Sequence, residues 1–319
     1  MAAVSERIYP KDERDLGALV GWQGITARVP ADWNIGAIGG DRKAGYLRMD
    51  GPEMPRLEVK WSEASVDTER ALDKYLKGLI KGSRRRPQIK VERGVRLISR
   101  RARPDKRLSC FAWRGPQQAY GVIWRCQVCK RTVIAQVLGR NGEDIEPLAR
   151  EVLLTLEDHS KDDCDTWSVY DLVCRVPQDF VLENQKLMAG LVELSFLRGR
   201  QRLRVRRLGM AEIVLGEAPV VEWARIDVNK RKEVWCDGEP IEFKGHQAAR
   251  LAGERRRFLG FLRTPAERLL RRKNAVQFSA LVWHCLPSKH LYAVEALHDG
   301  DDAVVNRVAE SVACHEALG

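Results

Sequence analysis

Two hydrophobic periods run through the chain. In "RLEVKW" (56–61) apolar and charged residues alternate, the period-two signature of a strand with one buried face. In "SVDTERALDKYLKGLIKGS" (65–83) the apolar residues Ala71, Leu72, Tyr75, Leu76, Leu79 and Ile80 recur at helical spacing and form one face. Ser65 or Asp67 is placed to cap the start of that helix, and Gly82 to end it. Beyond it, "IKVERGVRLISRR" and "SCFAWR" read as strands, followed by a hairpin around Cys126 to Cys129. A closing amphipathic helix runs from about Ile145 to Asp158. No apolar run approaches the roughly 20 residues that a membrane-spanning helix needs.

The pattern occurs twice. "RVPADW" (28–33) returns as "RVPQDF" (175–180), and "RLEVKW" as "RLRVRR" (202–207). "VIWRCQVCKRTVIAQV" (122–137) returns as "LVWHCLPSKHLYAVEA" (281–296), which sets Trp124 against Trp283, Cys126 against Cys285 and Cys129 against Ser288. The last helices align too, with His159 against His315. A period of this length is a duplicated domain and not a solenoid. The expected organisation is a tail over 1–18, a first domain over 19–159, a polar connector over 160–166 and a second domain over 167–319. The weak counterpart of the 65–83 helix is "PVVEWARIDV" (219–228). Hairpins flanked by helices predict the α+β class: two tandem homologous domains, each an antiparallel sheet covered by helices.

The early "VPxxW" turn resembles the PsbP-like group. So does the order of strands, a helix, more strands, a Trp-bearing hairpin and a terminal helix. The resemblance covers nearly all of the chain, in two tandem copies. It implies an α/β/α sandwich and a non-catalytic role as a binding or assembly module. It carries over no functional residues.

Charge adds a direction. The chain has 55 Lys and Arg against 44 Asp and Glu, a net charge of +11, and most of the excess lies in "SRRRPQIKVERGVRLISRRARPDKR" (83–107). Three stretches present candidate basic surfaces: Arg84, Arg85 and Arg86; Arg198, Arg200, Arg202, Arg204 and Arg206 in "RGRQRLRVRR"; and Arg255, Arg256 and Arg257. If 198–207 is one strand, its five alternate arginines share a face and repel one another unless anions or acidic side chains lie against them. In the third stretch Thr264 is placed to cap a helix, and Phe258 and Phe261 interleave with arginine. The expected function is a non-enzymatic interaction or assembly protein that presents basic surfaces to an acidic protein partner. Nucleic-acid phosphate is the second expected partner.

Metal or thiol chemistry is the third reading. Eight cysteines in a chain with a polar, charged N-terminal stretch predict a cytoplasmic protein with mostly reduced thiols. The single CxxC, Cys126 and Cys129, lacks a second knuckle, and its β-rich flanks place it on a hairpin turn. Ser288 in the second copy implies that paired sulfur is not needed to build that turn. His284 and His290 in "WHCLPSKH" complete the metal candidates, although Arg125 and Arg131 stand at their places in the first copy. No phosphate loop, dinucleotide fingerprint, HExxH or GxSxG pattern is present, so no cofactor is expected.

Overall fold

The computed structural model describes residues 16–64, 67–82, 89–255 and 276–315. The chain divides into two compact units, with the break between Lys161 and Asp162. The first opens with a hairpin of β1 (Ala18–Trp22) and β2 (Ile25–Val29). Then come β3 (Asn34–Gly40), β4 (Ala44–Asp50), β5 (Pro55–Ser62), α1 (Thr68–Gly82) and β6 (Lys90–Arg93). β7 (Lys106–Arg114), β8 (Gln117–Cys126), β9 (Thr132–Arg140) and α2 (Glu146–Thr155) complete it. β3 to β9 form one antiparallel sheet in the order β3-β4-β5-β9-β8-β7-β6.

The second unit repeats this plan. A hairpin of β10 (Cys164–Val169) and β11 (Leu172–Pro177) leads into β12 (Val181–Met188), β13 (Leu191–Arg198) and β14 (Gln201–Leu208). The short helix α3 (Ala211–Leu215) and α4 (Val220–Lys230) follow. β15 (Val234–Phe243), β16 (His246–Arg255), β17 (Gln277–Cys285), β18 (His290–His298) and α5 (Ala303–Ser311) close the unit. Its sheet order, β12-β13-β14-β18-β17-β16-β15, is the same connectivity. β10 begins at Cys164, so strand takes up part of the segment read as a connector.

Periodicity explains the helices. On α1, Leu72 and Leu76 seat against Phe111, Trp113 and Ile123 of the sheet, and Tyr75 and Leu79 pack beside them. Ile80 does not join that face and is 48% exposed. Asp67 is the cap: its Oδ1 accepts the backbone N–H of Glu69 at 3.0 Å and of Arg70 at 3.2 Å. Ser65 lies outside the described residues. On α4, Val220, Ala224 and Val228 pack on Val234, Leu251 and Val282. α2 rests on β8, β9 and β2, and α5 on β17, β18 and β11.

The expected α+β class is corrected, and with it the helix-covered sandwich implied by the resemblance. Strand accounts for 52% of the protein and helix for only 19%, so the protein is mainly β. The physical reason lies in the outer strands. β3 and β12 show mostly exposed or half-buried residues on both faces, so the apolar alternation that marks a strand in sequence is absent from them. Glycines deepen the effect. Gly45 on β4 stands opposite Trp61 on β5, where a Cβ would lie 2.3 Å from the indole, so the close approach of the two strands requires glycine there.

Candidate metal centres

Each unit brings four metal-ligating side chains together, three of them from matching positions. In the first unit Cys126 is the last residue of β8, two positions after Trp124 and on the same face. The turn behind it is tight: Lys130 takes a positive φ of 61°, and the Val128 N–H donates to Cys126 Sγ at 3.3 Å. Asp158 and His159 follow α2. They are fixed by an antiparallel bridge one residue earlier, where Glu157 and Thr26 exchange backbone hydrogen bonds of 2.8 and 3.0 Å. The donor atoms of Cys126, Cys129, Asp158 and His159 then lie within 4.8 Å of one another.

The second unit has the same frame. Cys285 ends β17 two positions after Trp283, and Lys289 takes a positive φ of 57° in the turn. Ala313 bridges to Val173, so Cys314 and His315 are pinned where Asp158 and His159 are pinned in the first unit. The fourth donor differs. Ser288 stands in place of Cys129, and His246, the first residue of β16, comes in from the neighbouring turn. Lys244 holds that turn by donating to the backbone carbonyls of Ala309, Glu310 and Val312 at the end of α5. His246, Cys285, Cys314 and His315 also have all donor atoms within 4.8 Å.

In the second unit the spacings come within about 0.4 Å of those in a coordination shell. A tetrahedral zinc, with bonds of about 2.3 Å to sulfur and about 2.0 Å to nitrogen, sets its ligand atoms about 3.3–3.8 Å apart. In the second unit Cys285 Sγ to His315 Nδ1 is 3.4 Å and Cys314 Sγ to His246 Nε2 is 3.5 Å. Cys314 Sγ to His315 Nδ1 and His246 Nε2 to His315 Nδ1 are both 3.2 Å. In the first unit Cys126 Sγ to His159 Nδ1 is 3.6 Å, whereas His159 Nδ1 and Asp158 Oδ1 share a hydrogen bond of 2.8 Å that a metal would have to replace.

The surroundings set the charge of the donors. Asp158 is fully buried. Burial alone would raise its pKa, yet Lys106 at 3.2 Å, the Trp124 indole N–H at 2.8 Å and His159 hold it below the ordinary carboxylate value. It is therefore anionic. Burial pushes the Cys129 thiol up to about 12 and raises Cys314, while the Trp283 indole opposes the rise at Cys314. Burial and the neighbouring His315 lower His246, which keeps its imidazole neutral, the form that ligates. A metal entering either site displaces thiol protons.

The other sequence candidates fall elsewhere. His284 and His290 do not join a cluster. His284 alternates with Cys285 along β17, and His290 Nε2 hydrogen-bonds Arg207 Nη1 at 2.6 Å. The single-strand placement of 198–207 is corrected. Gly199, at φ 58°, turns the chain between β13 and β14, so only Arg202, Arg204 and Arg206 alternate on one strand. Their neighbours are acidic. Arg206 Nη2 reaches Glu295 at 2.5 Å and Asp227 at 2.7 Å, Arg204 lies 3.6 Å from Glu295, and Arg202 lies 3.3 Å from Glu183. Arg198 pairs with Asp179 at 3.0 Å and covers the Phe180 ring. Arg200 and Arg255 are exposed. Arg84, Arg85, Arg86, Arg256, Arg257 and the helix start at Thr264 lie outside the described residues.

Of the donors in the two clusters, sequence reasoning named only Cys126 and Cys129 as metal candidates, and missed Asp158, His159, His246, Cys285, Cys314 and His315. For five of them the signal was present: Cys285 stands against Cys126, and the pair Asp158–His159 stands against Cys314–His315 directly after the last helix of each copy. His246 had no counterpart to compare. Among known proteins the chain matches no family model and no curated protein.

Proposed function

We propose that the protein is a duplicated metal-binding protein that holds one zinc ion in each unit, and that the metal is structural. The observation that carries this reading is the second cluster, whose four donors are spaced as the corners of a zinc tetrahedron. The donor set, two sulfurs and two imidazoles, suits zinc better than calcium or magnesium, which prefer oxygen. Four protein donors leave no position for water or substrate, as in structural sites and unlike catalytic ones. Each metal would tie a hairpin to the segment after the last helix, and in the second unit to the β15–β16 turn as well.

Trp124 and Lys106 complete the first site by orienting Asp158 from behind. The reading of basic strands facing an acidic protein or nucleic acid has less support, because Arg202, Arg204 and Arg206 are matched by carboxylates of their own unit.

Metal analysis of the purified chain tests the proposal. Two zinc ions per chain are expected, with one lost in Cys126→Ser and one in Cys285→Ser. His284→Ala, outside both clusters, keeps both. Replacement by cobalt(II) should give the intense visible bands of a tetrahedral thiolate site. A chain that carries no metal and yields no such bands overturns the reading.

A further inference from the structure

The two units differ on the sheet face that carries α1 in the first and α4 in the second. In the first unit α1 lies over β7 and β8 and leaves β5 and β9 beside it uncovered. The result is an open trough of about 700 Å³. Its walls are Ala71, Tyr75 and Leu79 from the helix and Ile123 and Ile134 from the sheet. That volume falls in the range of sites for small organic ligands, roughly 300–1,000 Å³, which are mostly apolar with a few placed polar groups.

Two cations line the trough. Lys60 projects from β5 and Lys74 from α1, both exposed, and among the described residues neither is paired with a carboxylate. Lys60 Nζ stands 5.9 Å from the centre of the Tyr75 ring. Gly78 is a separate observation. It sits inside α1, where glycine costs roughly 0.5–1 kcal/mol relative to alanine. No packing requires it, since a Cβ there would meet nothing within 4 Å. Its effect is to keep the helix wall of the trough low.

The second unit closes the same place. Aligning "RLEVKW" with "RLRVRR" sets Lys60 against Arg206. Arg206 is buried and is held by Asp227 of α4 and by Glu295, which Arg231 also pairs at 2.7 Å. Duplication therefore left one copy plugged by ion pairs and the other open, apolar and doubly cationic.

We infer that this trough binds a free aliphatic carboxylate, with its chain along Leu79, Ile123 and Ile134 and its head group between Lys60 and Lys74. The inference is independent of the metal sites. Titration calorimetry of the full chain with dodecanoate, below its micelle concentration, tests it. Saturable binding of one equivalent is expected. Gly78→Leu fills the trough and favours the helix, so affinity should fall at least tenfold with no loss in melting temperature. Lys60→Gln with Lys74→Gln should weaken dodecanoate about tenfold and leave dodecanol unchanged. Absence of saturable binding, undiminished binding by Gly78→Leu, or binding only to anionic phospholipid vesicles overturns the inference.

Discussion

Glu295 shows how much a single buried charge can control. It is 3% exposed and faces Arg204, Arg206 and Arg231. Burial would raise its pKa, but the three guanidinium groups bring it down to about 2 from an ordinary 4.5. A depressed folded-state pKa stabilises the protein above the unfolded value and loses that contribution as pH falls from 4.5 towards 2. The shift corresponds to about 3 kcal/mol. Glu295→Gln should therefore lower stability by about 3 kcal/mol at pH 7, because it strands a buried cation cluster. Denaturant unfolding of both proteins at pH 7, 4 and 2.5 should show the gap closing with acid. Arg204 and Arg206 were legible in the sequence as part of a row, and Arg231 was not. Their partners were not, because Asp227 and Glu295 approach from a helix and a neighbouring strand.

At the scale of elements, α1 was readable because its capping and its apolar face are local. Asp67→Ala should cost about 1 kcal/mol, since two backbone N–H groups lose their acceptor. Thermal unfolding measures it, and Asp67→Ser should recover most of the loss. The outer strands were not readable in the same way. β3 and β12 bury little on either side, and what defines them is the ladder they make with β4 and β13. Strand pairing is a property of two segments, so one segment's pattern does not announce it. The 198–207 stretch failed for a related reason: its alternation continues through Gly199 although the backbone reverses there.

Across the whole molecule, the two metal centres are similar without being equal. The first offers a carboxylate and has Cys129 and His159 half-buried, whereas the second buries His246, Cys285 and Cys314 and exposes His315. Zinc prefers thiolate and imidazole to carboxylate in such a shell, and the first site also has one fewer imidazole. A strong chelator should remove zinc in two phases, the faster from the first unit. Following release in Cys285→Ser should leave only the fast phase, and in Cys126→Ser only the slow one.

The sequence by itself determined the internal repeat, the helices α1 and α2, and the Trp-x-Cys hairpin in each copy, because periodicity and local motifs need no knowledge of distant residues. Only the tertiary structure decided that sheets dominate and that Arg202, Arg204 and Arg206 of β14 are neutralised at home. It also decided that Cys126 belongs with Asp158 and His159, and Cys285 with His246, Cys314 and His315. Those groupings join segments up to 69 residues apart, through strand order and through bridges at Thr26–Glu157 and Val173–Ala313. A ligand set is a matter of distance in space, and the second unit draws its fourth donor from a different turn than the first, so no fixed spacing could carry it.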